Sequence, residues 1–170
     1  MYSIRQITRY EYSWLRSEDF HNLYSQLTTS TLLERNEFEK WFKEVLNNPC
    51  FKLFGVIYSN SVGSDLYGKW VNQNCKLIGL ASLWLHPRYY RKFGTSAHLE
   101  DLVIDKSYNN LGLGKKLINE IINWCKERNY YKIQLNCDSK LENYYKLSNF
   151  ENNGVTMNIY FENLGKIEHH

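Results

Sequence analysis

Between Asp101 and Ile121 the sequence reads DLVIDKSYNNLGLGKKLINEI, and its apolar spacing changes midway. Leu102-Val103-Ile104 is a compact aliphatic run of strand character, whereas Leu117, Ile118, Ile121 and Ile122 return at the spacing of one helix face. The handover passes through Asn109-Asn110-Leu111-Gly112-Leu113-Gly114, followed by Lys115 and Lys116. A helix starts with backbone N–H groups that have no acceptor inside the helix, and its dipole adds partial positive charge there. Gly112 and Gly114 carry no side chains, so an anion can approach those N–H groups closely while the two lysines screen its outer oxygens. The segment is built to hold a diphosphate. A bare Gly-x-Gly makes a tight turn equally well, with the lysines as solvated surface; the position after a strand and before an amphipathic helix favours the anion site. The segment has neither the longer dinucleotide fingerprint nor a Walker lysine pattern.

The rest of the chain supplies a sheet for that turn. Ser3–Ile7 alternates as a first strand, and Ser17 is placed to cap a helix with Phe20, Leu23, Tyr24 and Leu27 on one side. Asn36-x-x-Glu39 has the capping-box pattern before a second stripe of Phe38, Trp41, Phe42 and Val45. FKLFGVIY (51–58) and CKLIGLASLWL (75–85) are strands joined by a long polar hairpin loop, and HPRYYRKFGTSAH is a second irregular connection, basic and aromatic. Strand 99–104, helix 113–128, strand 131–136, a short helix ending near Asn149 and a closing strand 156–161 complete the order. This predicts an α/β (α+β) fold with a mixed, mostly antiparallel sheet and helices on both faces.

At 170 residues, 43% of them hydrophobic, the chain fits one globular domain, taken as residues 1–167, with 168–170 resembling the start of a purification tag. A formal charge of +3 gives no case for nucleic acid. Cys50, Cys75, Cys125 and Cys137 show neither metal-ligand spacing nor a compact disulfide framework. With no signal peptide and no membrane-length apolar run, a cytoplasmic protein with reduced thiols, no membrane partner and no metal is expected.

HLEDLVID, NNLGLGKKLI, YYKIQLNCD and NYYKLSNF together resemble the GNAT acetyltransferase superfamily, and within it the eukaryotic glucosamine 6-phosphate N-acetyltransferase family. The likeness is dense from His98 to Met157, and the family motif R/Q-x-x-G-x-G/A falls on Asn109–Gly114. The resemblance implies acetyl-CoA as co-substrate, its pantetheine laid along Leu102-Val103-Ile104 as an added edge strand and its diphosphate held by Asn109, Asn110, Leu111, Gly112, Leu113, Gly114 and Lys115. It implies direct acetyl transfer to the amine of glucosamine 6-phosphate, for UDP-N-acetylglucosamine synthesis, in a homodimer whose C-terminal strand and basic loop lie near the partner.

Glu100 and Asp101 match the Glu-Asp pair where amine and thioester meet; Glu100 is either the base or a group that orients the sugar. Tyr145 matches the tyrosine beside the thioester sulfur, placed to protonate the leaving thiolate and to contact the cofactor. Thr28, Arg88 and Arg91 match contacts to the sugar and its phosphate, although Thr28 also reads as a turn hydroxyl and the arginines as solvated surface. Asn136 stands where the family has an acidic substrate contact, Asn109 where it has Arg or Gln, and Tyr160 where an Arg is expected. An amide takes no proton, and without an Arg at 160 the phosphate charge falls to Arg88, Arg91 or Lys92. Cys137 lacks a histidine partner for acyl transfer. The same fold with a peptide, lysine or polyamine acceptor, or a CoA-binding regulatory module without turnover, are the rival readings.

Overall fold

The computed structural model describes residues 1–11, 14–59, 75–89 and 94–159. They divide into two compact units, Met1–Leu135 and Asn136–His170. The first carries β1 (Tyr2–Ile7), α1 (Ser17–Tyr24), α2 (Arg35–Asn47), β2 (Phe51–Ser59), β3 (Cys75–Pro87), β4 (Thr95–Ile104), α3 (Leu113–Glu127) and β5 (Lys132–Leu135). The five strands form one sheet in sequence order, antiparallel except for the parallel pair β4–β5. A parallel pair needs a crossover, and α3 supplies it.

Both sheet faces are apolar because helices cover both. Phe20 and Leu23 of α1 and Phe38 and Phe42 of α2 form one core with Ile7, Leu53, Leu77, Leu80 and Val103. Phe38 and Phe42 are only 1% exposed, and burying each aromatic ring contributes about 2–3 kcal/mol. On the opposite face Leu117, Ile118, Ile121 and Cys125 of α3 are buried; the Trp124 ring meets Phe54 edge-on at 5.5 Å, and its Nε1 donates to Gln6 Oε1 at 3.1 Å. Buried Asp19 accepts the Leu77 N–H at 3.2 Å, which pins α1 to β3. Burial pushes its carboxyl above the usual range.

Several sequence expectations need correction. Ser17 is the first helical residue and caps nothing; Arg16 is the N-cap and makes no side-chain cap bond. The capping box of α2 is formed by Glu34 and Glu37, two positions ahead of Asn36 and Glu39. Glu39 instead pairs with Arg35 and Lys43 at helical i,i+4 spacing. Leu27 lies past the end of α1 and is exposed. The connection expected to be irregular from His86 to His98 is strand at both ends, since β3 runs to Pro87 and β4 begins at Thr95, while residues 90–93 between them lie outside the described residues. The proposed hairpin loop lies mostly in 60–74, outside the described residues.

The second unit contains α4 (Glu142–Lys146) after a short 3₁₀ turn at Ser139–Leu141. The expected closing strand is not formed over 151–159. Val155, Met157 and Ile159 alternate as a strand would but are 90%, 89% and 82% exposed. Residues 160 and 161, the end of that segment, lie outside the described residues. No helix among the described residues is long and apolar enough to cross a membrane.

Candidate active site

The site starts from an interruption in the sheet. β4 pairs with β5 only from Ser96 to Leu99, whereas its pairing with β3 continues to Ile104 opposite Gly79. Among the described residues, the edge of β4 from Glu100 to Ile104 on the β5 side therefore has no ladder partner. An open edge inside a covered sheet is a template for another extended chain. Val103 is buried in the core beneath α1 and α2, so this segment packs through its side chains while its backbone stays available.

β4 leads into the glycine turn through a fastened 3₁₀ turn, Lys106–Tyr108. Asp105 accepts the Ser107 N–H at 2.9 Å and pairs with Lys76 at 3.1 Å. Burial alone would raise the Asp105 carboxyl, but these donors outweigh it and hold it below the usual range. Gln26 Oε1 accepts the Lys106 N–H at 3.0 Å, tying the end of the α1 region to the same turn. Asn110 and Gly112 both take left-handed backbone, with φ of 64° and 68°. A Cβ built on Gly112 would meet nothing within 4 Å, so open space lies over the turn.

Lys116 N–H closes the first bond of α3, to the Gly112 carbonyl at 3.1 Å. The N–H groups of Leu113, Gly114 and Lys115 precede it without an intrahelical acceptor, and no side chain caps them. Leu113 is buried and roots the helix start in the core, while Asn109, Leu111, Lys115 and Lys116 are exposed around it. The residues present thus fit a diphosphate: free N–H groups, no Cβ in the approach and cations at the rim.

The acceptor end lies where β4 is irregular. Asp101 and Leu102 together oppose the single residue Ala81, because the register shifts between Leu80↔Val103 and Ser82↔Glu100. This is a β-bulge, and Asp101 sits in it at φ 54°. Left-handed backbone costs a non-glycine residue about 1–2 kcal/mol, and the charge-assisted bond from Ser82 Oγ to Asp101 Oδ2, at 2.7 Å, offsets it. Tyr24 of α1 stands nearby; burial first, and the Asp101 charge second, push its phenol up. The bulge overrides the simple alternation that would send adjacent carboxylates to opposite faces.

Glu100 is exposed and lies 3.7 Å from His98 Nδ1, an ion pair when the imidazole is protonated. Ser96, His98 and Glu100 share one side of β4 by strand period. Arg88 Nε donates to Ser96 Oγ at 3.1 Å. About 13 Å of strand separates Ser96 from Glu100, so a cation marks one end of this row and carboxylates the other. Thr28 is exposed just beyond α1, its N–H bonded to the Tyr24 carbonyl at 2.9 Å. Arg91, Lys92 and Tyr160 lie outside the described residues.

Asn136 and Tyr145 belong to the second unit. Asn136 Oδ1 accepts from Thr156 Oγ1 at 3.2 Å. Tyr145, half-buried on α4, contacts the rings of Tyr144 and Phe150 edge-on at 5.2 and 6.0 Å. Burial, helped by Tyr144 and Cys137, pushes its phenol up to about 12. Sequence reasoning missed Ser82, Tyr24 and His98. Ser82 had a signal: it is the one polar residue in GLASLWL, and a hydroxyl in an otherwise apolar buried strand needs a partner.

An open strand edge running into an uncapped, glycine-opened helix start is the arrangement of an acyl-CoA transferase fold. The chain belongs to the GNAT acetyltransferase family, whose model matches residues 17–150, and members of this family transfer acetyl groups from acetyl-CoA. It is similar to the Arabidopsis thaliana glucosamine 6-phosphate N-acetyltransferase, 24% identical over 147 residues, covering 86% of this chain and 91% of the relative. The crystal structure of glucosamine-6-phosphate N-acetyltransferase from the same plant superposes with a TM-score of 0.74 at 22% identity, over 95% of this chain and 99% of that one. A Clostridium acetobutylicum predicted acetyltransferase solved with acetyl-CoA shares the fold at a TM-score of 0.64 and 18% identity, over 94% and 96% of the two chains.

Proposed function

We propose that this chain transfers the acetyl group of acetyl-CoA to the 2-amino group of glucosamine 6-phosphate, in a ternary complex and within one domain spanning 1–167. The open edge of β4 running into the Gly112 turn carries the reading, because it offers backbone to pantetheine and N–H groups to the diphosphate in one continuous path. The relatives that carry this enzyme name support the sugar, and the Arg88-to-Glu100 row suits a molecule with a phosphate at one end and an amine at the other. The product would feed UDP-N-acetylglucosamine synthesis.

The ammonium first loses its proton to Glu100 or to Asp101, directly or through water. The free amine then attacks the thioester carbon: the N–C bond forms, backbone N–H groups of Leu102–Ile104 stabilise the oxyanion, and the C–S bond breaks. Tyr145 hydrogen-bonds or protonates the departing thiolate, and the surplus proton on the new amide nitrogen passes to solvent or back to the tyrosinate. The alternating exposed Val155, Met157 and Ile159 support a homodimer, since a second copy would give this run a strand partner and an apolar cover.

A thiol-release assay across glucosamine 6-phosphate, glucosamine, spermidine and a lysine peptide tests the acceptor. A bidentate arginine contact to phosphate is worth about 1.5–3 kcal/mol, so kcat/KM for the phosphorylated sugar should exceed that for glucosamine by roughly 10–100-fold. Equal rates for the two sugars exclude a phosphate pocket. Acetyl-CoA binding without turnover on any acceptor would instead assign a regulatory module.

A further inference from the structure

We infer that Ser82 is a positioning residue: by holding Asp101 in its left-handed conformation, it fixes the bulge that frees backbone N–H at Asp101–Leu102 to polarise the thioester carbonyl. This rests on the reading of β4 as the thioester strand and deepens it. Ser82 is fully buried on β3, its hydroxyl donates to Asp101 Oδ2 at 2.7 Å, and Asp101 is the residue at φ 54° within the two-against-one stretch opposite Ala81. A bulge leaves its extra residue out of the ladder to β3, and on its other side this stretch has no ladder partner among the described residues, since β5 pairs only as far as Leu99. Ile104 and Val103 resume regular pairing beyond it.

The bulge would not be expected to hold itself. Neither of its residues is glycine, and an aspartate has backbone conformations other than the left-handed one that would re-aim the N–H groups of the bulge. The buried hydroxyl is the contact that selects the observed conformation.

The test reads the carbonyl itself and needs no acceptor: isotope-edited infrared difference spectra of bound [1-13C]acetyl-CoA. In the wild-type protein the thioester band should lie below its position in free acetyl-CoA. Ser82→Ala should return it toward the free position and lower kcat by at least about tenfold, a fraction of the ~10²–10³ lost with an oxyanion donor, with acetyl-CoA affinity changed less than about twofold. Asp101→Asn keeps an oxygen to accept the Ser82 bond and tolerates left-handed backbone, so its band should stay at the wild-type position. A band unmoved by Ser82→Ala, a band lost in folded Asp101→Asn, or an unshifted wild-type band each overturns the role of Ser82 while leaving the cofactor site standing. Failure of the wild-type protein to bind acetyl-CoA overturns the reading of β4 as well.

Discussion

Gly112→Val is expected to weaken acetyl-CoA binding by about 100-fold or more, measured by calorimetry, while lowering stability by only about 1–2 kcal/mol. The stability loss follows from φ 68°, a conformation that a β-branched residue adopts at a cost of that size. No steric cost adds to it, since the new Cβ meets nothing within 4 Å. The binding loss has a separate origin, because the same open space is where the diphosphate must come down on the N–H groups of Gly112–Lys115. Each charge-assisted bond there is worth about 1.5–3 kcal/mol, and losing one or two gives the expected change in Kd. Gly112→Asn separates the two effects, since asparagine accepts left-handed backbone: it should keep wild-type stability and still lose most of the affinity. Wild-type affinity in both variants would remove the turn from cofactor binding.

Tyr145→Phe should reduce kcat by about 10²-fold, within the range for loss of a general acid, with KM for acetyl-CoA little altered. The substitution leaves the ring contacts to Tyr144 and Phe150 in place. Among the described residues the phenol has no hydrogen-bond partner to lose, so stability should stay within about 0.5 kcal/mol. Because burial raises this phenol to about 12, it is protonated, and able to donate, throughout the working range; its proton is lost only as pH rises past that value. The pH profiles of wild type and Tyr145→Phe should therefore run parallel from about pH 6.5 to 9.5. Full activity in Tyr145→Phe would leave the leaving thiolate without this acid.

The proposed cofactor path was legible in the sequence because it is made of backbone. A change of period from strand to helix, with two glycines between, fixes where the free N–H groups stand, and β4, Gly112 and α3 are found where that pattern puts them. The proposed acceptor end was legible only in part. Glu100 and Asp101 were found as a pair, but the bulge that turns them was not, since aspartate in left-handed backbone leaves no mark in composition. Ser96 and His98 were absorbed into a basic stretch that reads as loop, although their alternation with Ala97 and Leu99 is that of a strand. The start of α2 moved by two residues because Glu34, which forms the capping box with Glu37, precedes the Asn36 pattern. The closing strand expected over 156–161 does not form over 156–159, and residues 160 and 161 lie outside the described residues.

A crystal structure of the protein with acetyl-CoA tests the cofactor path most directly. The diphosphate should lie within hydrogen-bonding distance of the N–H groups at Gly112–Lys115, with the pantetheine alongside Leu102–Ile104 as an added strand. A cofactor held elsewhere, leaving that edge of β4 bare, contradicts it.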